Sequence, residues 1–223
     1  MASISAHRLF LLASCLLPLT RASIHAVPPI VLASRSPRRA DMLCQAGISF
    51  SIMPVECDES WIPHESPVDY TRRIALAKAT QAIQEHSIQQ VVLGADTTVW
   101  LDDDQAPLGK PADREQAAHM LRSISTSAGH WVTTAYALVD ARVHEPYPTI
   151  LAHQSSRVFM RPLDGLLLDT YLETREWTDK AGGYGIQGHA AAFVRRIEGS
   201  YTNIVGLPLT QLLESLESIG AGA

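Results

Sequence analysis

Between Asp179 and Gly188 the chain reads Asp-Lys-Ala-Gly-Gly-Tyr-Gly-Ile-Gln-Gly, with four glycines in ten residues. Glycine costs backbone entropy, so a cluster of this density marks positive φ angles or close approach of the backbone to another group. Ordinary packing does not explain it. Three further islands share its mixed chemistry: Ser34-Arg35-Ser36-Pro37-Arg38-Arg39, Gly94-Ala95-Asp96-Thr97 and Gly109-Lys110-Pro111. Lysines, arginines and two aspartates beside glycine suit a polyphosphate ligand held together with a metal.

The spacing between islands predicts the frame. Ile30 to Ala33 reads as a short strand, followed by Ser36 as N-cap and Pro37 at the first helical position, where the missing N–H is harmless. Arg38 to Ala46 continues as helix and Gly47 ends it. Ile48 to Met53 is a second strand, Pro54 to Glu65 a loop, and Val68 to His86 a long helix. Val91 to Leu101 is a strong strand, with Asp102-Asp103-Asp104 as a solvated hairpin turn. A helix opens at Pro111-Ala112-Asp113 and runs to about Ser123. His130 to Val139 and Ile150 to Met160 are strands, and Asp164 to Thr174 is a helix. Ala191 to Ile197 is a strand, Ser200 to Leu207 a loop, and Pro208 to Ile219 a closing helix. Alternating helices and strands with a long antiparallel ribbon in the middle predict an α/β domain on a mixed sheet.

Bulk properties exclude several classes. At 223 residues, 46% hydrophobic and 18% charged, the chain is long enough for a sizeable core. A net charge of -5 argues against a protein that coats nucleic acid, which usually presents a basic face. Three cysteines, Cys15, Cys44 and Cys57, without paired spacing form no disulfide framework or zinc site and suit a reducing compartment. The nine histidines show no metal-ligand spacing, and no nucleophile elbow, Walker lysine or dinucleotide fingerprint is present. The apolar run Leu9 to Leu19 is followed by small residues, as in a secretory signal. It is short for a membrane span. We read residues 1–29 as a non-catalytic extension, either signal-like or derived from an unused upstream start, and residues 30–220 as the functional domain of a cytoplasmic protein.

Each island has a chemical reading and a structural one. Ser34, Ser36, Arg35, Arg38 and Arg39 surround a helix N-terminus, whose free N–H groups and dipole attract phosphate; a capped surface helix with solvated arginines is the alternative. Asp96 lies inside an apolar strand, where an acid is costly unless paired or metal-bound. It is a candidate magnesium ligand or water-orienting base; the alternative is a structural aspartate capping a turn. Lys110 can neutralise phosphate charge. Glu56 and the Asp58-Glu59 pair lie in the loop after the second strand and could complete a metal site with Asp96. In the glycine-rich stretch, Asp179 and Lys180 could pair and brace the loop or act directly. Gln187 can read a base edge, because its amide both donates and accepts.

Taken in order, these motifs, together with Ile197-Glu198-Gly199-Ser200-Tyr201-Thr202-Asn203-Ile204-Val205-Gly206-Leu207-Pro208, resemble the Maf family of nucleotide pyrophosphatases from about Ile30 to Leu216. The resemblance implies an elongated α/β fold like that of inosine triphosphate pyrophosphatase, with two lobes around a cleft. It implies hydrolysis of a nucleoside triphosphate to the monophosphate and pyrophosphate with a divalent cation, Mg2+ or Mn2+, and a homodimer. Asp96 matches the family's proton acceptor, and Arg38, Thr97 and Gln187 match positions linked to substrate choice. The Asp-Thr and Ile-Gln-Gly forms look like the branch acting on dTTP, UTP and modified pyrimidine nucleotides rather than the 7-methyl-GTP branch. In this frame Glu56 and Asp96 hold the metal. Lys110, Lys180, Arg38, Arg39, Ser34 and Ser36 hold phosphate. A non-catalytic, nucleotide-binding regulator of cell division is the rival.

Three positions depart from the family pattern. Arg35 stands where a small residue is usual. Thr134-Ala135-Tyr136 replaces Thr-Gly-Val, which suggests a remodelled loop. The acidic residue of the second-strand loop aligns at Glu56, with Glu59 as the alternative.

Overall fold

A six-stranded mixed sheet in the order β2-β1-β3-β4-β5-β6 forms the centre of the molecule. The computed structural model describes residues 27–101 and 106–221; the Asp102–Asp104 turn and nearly all of the 1–29 extension lie outside them. The strands are β1 (Ile30–Leu32), β2 (Phe50–Ile52), β3 (Val91–Trp100), β4 (His130–Asp140), β5 (Thr149–Met160) and β6 (Val194–Glu198). The α-helices are α1 (Pro37–Gln45), α2 (Pro67–His86), α3 (Arg114–Thr126), α4 (Gly165–Glu173), α5 (Tyr201–Val205) and α6 (Leu209–Ala221). β1 pairs in parallel with both β2 and β3. From β3 onward every pairing is antiparallel. The expected mixed sheet, with its long central ribbon, is what the structure contains.

The two faces of the sheet are covered differently. α2 packs Ala79, Ala82 and Ile83 against Val31, Val92, Ala137 and Val139. The opposite face carries the larger cluster, in which α1, α3, α4 and α6 supply Leu43, Leu121, Leu168, Leu212 and Leu216. Full burial of one such side chain contributes roughly 1.5–3 kcal/mol. α6 has Leu212 and Leu216 as its buried anchors.

One contact sets the geometry of the site. A Cβ at Gly94 would overlap the carbonyl oxygen of Ala75 and lie 2.7 Å from the backbone nitrogen of Ala79. Glycine on the strand and alanines four residues apart on the helix therefore let α2 lie against β3 at backbone distance.

Several sequence expectations need correcting. Ser36 occupies the N-cap position of α1, but its side chain makes no cap bond; instead its N–H donates to Ser34 Oγ at 3.2 Å. The segment 200–207 contains a short helix, α5, capped by Ser200, whose hydroxyl accepts from the Asn203 N–H. β6 begins at Val194, because His189–Phe193 forms a 3-10 turn. Thr134-Ala135-Tyr136 is no loop: it lies inside β4. Tyr136 is fully buried there, and its hydroxyl donates to the Gln211 carbonyl at 3.0 Å on α6.

Candidate active site

The four islands converge on one cleft of about 1410 Å³. Strand alternation divides its floor. Gly94, Asp96 and Thr98 face α2; Ala95, Thr97 and Val99 face the other side. Among the lining residues are Asp96, Lys110, Lys180 and Gln187.

On the α2 side, the close approach at Gly94 aims Lys78 at the strand. Lys78 Nζ donates to Asp96 Oδ1 at 2.8 Å and pairs with Glu59 Oε1, also at 2.8 Å. Both Lys78 and Asp96 are nearly buried, with side chains 12% and 13% exposed. Burial pushes the Asp96 carboxyl up from its ordinary range, and the opposing pull of Lys78 and Arg39 does not cancel it. Burial works to lower Lys78, but attraction to Asp96 and the hydrogen bonds to Asp96 and Glu59 leave it raised. The second Asp96 oxygen accepts no hydrogen bond from the described residues. The loop bearing Glu59 is tied to α2: Tyr70 Oη donates to the Glu59 carbonyl at 2.9 Å, and Arg73 bonds both Glu65 and the Ser60 carbonyl.

Lys78 is the cleft residue that the sequence reading missed. A single lysine in a long helix reads as solvated. The available signal was its place between Ala75 and Ala79, on the side of the helix that meets Gly94. Glu56 is differently placed. It lines the cleft, but its carboxylate pairs with Arg35 at 2.9 Å, where the two side chains are 79% and 67% exposed. The carboxylate connected to Asp96 through Lys78 is therefore Glu59, the alternative position.

On the opposite side of β3 a satisfied polar network fixes Thr97. Arg39 is buried and donates through Nε to the Gly206 carbonyl, through Nη1 to Ser34 Oγ and through Nη2 to Thr97 Oγ1, each at 3.0 Å. Burial lowers the Arg39 pKa and Asp96 pulls against it; a guanidinium keeps its charge under such conditions. Thr97 Oγ1 also meets Thr134 Oγ1 at 2.8 Å. Thr134 Oγ1 donates to the Asn203 carbonyl, and Asn203 Nδ2 donates to the Val132 carbonyl and Ser156 Oγ. Arg39 and Ser34 thus hold the frame of the cleft. The Arg38 side chain, by contrast, makes no hydrogen bond to a described residue. Burial lowers its pKa, with Asp179 opposing.

The third and fourth islands are joined. The Gly182 N–H donates to the Gly109 carbonyl at 3.1 Å, so the Lys110 segment is tied to the glycine-rich stretch. Gly182 and Gly183 adopt φ of 68° and 74°, conformations open mainly to glycine. A Cβ at Gly185 would lie 2.6 Å from Lys180 Cε, so the lysine stem crosses the loop where a side chain is missing. Burial and Arg38 both lower Lys180. Lys110 is exposed at the cleft.

Among the described residues, no group of three or more His, Cys, Asp or Glu side chains could hold a metal unaided. Glu59 still fits a hard cation, because Mg2+ commonly takes one or two carboxylates and completes its shell with phosphate oxygens and waters. No helix among the described residues is long and apolar enough to cross a membrane.

Residues 29–219 match the family of Maf-like proteins. The dTTP/UTP pyrophosphatase of Hahella chejuensis is 45% identical over 193 residues, covering 86% of this chain and 92% of that protein. The dTTP/UTP pyrophosphatase of a Geobacter species, strain M21, is 42% identical over 192 residues, covering 86% and 96%. Among solved structures, the Staphylococcus aureus Ham1 protein superposes with a TM-score of 0.47 at 11% identity, over 86% of this chain and 99% of that one.

Proposed function

The chain belongs to the Maf-like protein family, and from that premise we propose that it hydrolyses dTTP and UTP to the nucleoside monophosphate and pyrophosphate. The observation that carries this reading is the buried Asp96, held by Lys78 on one oxygen and open on the other, in the same cleft as Arg38, Lys110 and Lys180. A protein that merely binds nucleotide gains nothing from an acid facing phosphate.

Cleavage of the α–β anhydride needs a water directed at the α-phosphorus, a base for its proton and cations for the leaving pyrophosphate. The open oxygen of Asp96 orients that water and accepts its proton. Lys78 fixes the carboxylate through the other oxygen. Lys110 and Lys180 stabilise charge on the β and γ phosphates. Preorganised charge of this kind is usually the largest catalytic contribution. Glu59, through the oxygen not given to Lys78, and the phosphate oxygens of the substrate would hold Mg2+ or Mn2+, which when bound would polarise a phosphoryl oxygen. Arg38, Thr97 and Gln187 discriminate between bases, and the Gln187 amide reads the pyrimidine edge. A nucleotide substrate and three cysteines without paired spacing suit the cytoplasm.

The test is pyrophosphate release from dTTP, UTP, CTP, ATP, GTP and 7-methyl-GTP with Mg2+ or Mn2+. Selective turnover of dTTP and UTP is expected. Turnover of 7-methyl-GTP alone would keep the hydrolysis and overturn the specificity. No turnover from folded protein would leave a nucleotide-binding regulator as the reading.

A further inference from the structure

Glu176 has no role in the chemistry above, yet it lines the cleft and grips the end of the glycine-rich stretch. Both of its oxygens are engaged by a single residue. Oε1 meets His189 Nδ1 at 2.6 Å, and Oε2 accepts the His189 backbone N–H at 2.8 Å. Gly188 runs directly against this carboxylate: a Cβ there would overlap Oε2 and lie 2.7 Å from Cδ. The chain between Gln187 and His189 therefore wraps a fixed acid. The hydrogen bond from His189 holds the Glu176 carboxyl below the usual range.

Gln187 is the residue whose placement this clasp governs. Its side chain is exposed at the cleft and makes no hydrogen bond to any described residue, so backbone alone aims the amide. Before it, Ile186 is anchored in the core at 8% exposure. Behind it, the Gly188 N–H donates to the Gly185 carbonyl at 3.1 Å, and then comes the Glu176–His189 clasp. A side-chain amide selects a base only while donor and acceptor are held within about half an ångström of the productive position. We propose that Glu176 is the positioning residue for Gln187: by holding His189 and the Gly188 backbone, it sets where the amide meets the nucleobase and so controls the choice of base. The proposal rests on the nucleotide-hydrolase reading and deepens it.

A purely structural clasp would stabilise the loop without affecting which nucleotide is chosen, and this separates the two. kcat and KM for dTTP, UTP and GTP are measured for the wild type, Glu176→Ala, Glu176→Gln, His189→Ala, Gln187→Ala and the double variant Glu176→Ala/Gln187→Ala. Hydrogen exchange of residues 186–190 is followed in parallel. In Glu176→Ala, faster exchange is expected together with a preference for dTTP over GTP reduced by up to about a hundredfold, mainly through KM. Glu176→Gln keeps an oxygen for the His189 N–H and recovers part of the preference. His189→Ala removes only the ring contact and gives a smaller change in the same direction, and it serves if Glu176→Ala does not fold. The double variant is expected to discriminate no worse than Gln187→Ala alone, because both lesions break one device. The positioning role is overturned if Glu176→Ala keeps the wild-type preference, or if its loss adds to that of Gln187→Ala. A wild type inactive on every nucleotide instead overturns the hydrolase reading, and the positioning role falls with it.

Discussion

On the β3 side of the cleft, Asp96 and Thr97 stand in a ten-residue strand laddered to β4, with Ala135 and Thr134 as their partners. On the glycine-rich side, Lys180 and Gln187 stand on backbone that bends through Asp179 at φ 60°, Gly182 at 68° and Gly183 at 74°. Asp96 is ion-paired and Thr97 doubly hydrogen-bonded; the side chains of Lys180 and Gln187 make no hydrogen bond to a described residue. A group that must act on one phosphorus atom gains from a rigid, pre-paired setting. Groups that grip a flexible triphosphate and a base gain from being unpaired until the ligand arrives. Both sides use glycine, for different ends: Gly94 admits a helix backbone, while Gly185 admits a lysine side chain.

The largest effect should come from Asp96→Asn, which keeps the shape and removes the base. A fall in kcat of about 10²–10⁴-fold is expected, with the fold retained because Lys78 keeps Glu59 as partner; steady-state kinetics beside circular dichroism checks this. Retained turnover would strip the β3 side of its chemical role.

Gly94→Ala comes next. Its methyl group meets helix backbone, which cannot step aside, so α2 must shift. A stability loss of roughly 3 kcal/mol in denaturant unfolding is expected, with kcat falling as Lys78 leaves Asp96.

The two sides are linked through a buried contact, His130 Nε2 with the Tyr184 hydroxyl at 2.8 Å. Burial lowers the His130 pKa from 6.5 to about 4. The folded state therefore binds fewer protons than the unfolded one in that window. Its contribution is complete above pH 6.5 and is lost as the pH falls towards about 4, by at most roughly 3 kcal/mol. Unfolding free energies measured across that range should show the slope in the wild type, and a flatter line in His130→Phe.

Gly185→Ala should have the smallest effect and the most informative one. The atoms in the way belong to the far end of Lys180, which can swing aside. A stability change under about 1 kcal/mol is expected, with KM for dTTP rising about tenfold, the equivalent of one lost charge-assisted contact. Equal stability losses at Gly94 and Gly185 would erase the contrast between the two sides.

Much of this was legible in the chain. The islands, the alternation of elements and the buried acid at Asp96 follow from glycine and charge placed where packing alone does not want them. What escaped depends on contacts distant in sequence. Lys78 became meaningful only when the closeness of Ala75 and Ala79 to Gly94 put α2 against β3. Glu59 and Glu56 are neighbours in a loop without periodicity, and only their partners, Lys78 and Arg35, distinguish them. Arg39 and Arg38 read alike in the sequence, and nothing there shows which of the two is also tied into the frame. The helical position of Arg39 turns it inward to Gly206, Ser34 and Thr97. The departure at Tyr136 looked like a loop change because the hydroxyl's partner, Gln211, lies 75 residues away.

In the proposed mechanism Asp96 directs water at the α-phosphorus while the cationic side holds the departing pyrophosphate. Hydrolysis of dTTP in ¹⁸O-labelled water tests it most directly, with mass spectrometry of both products. Label in dTMP and unlabelled pyrophosphate are expected. Label in the pyrophosphate would mean attack at the β-phosphorus and would contradict the account.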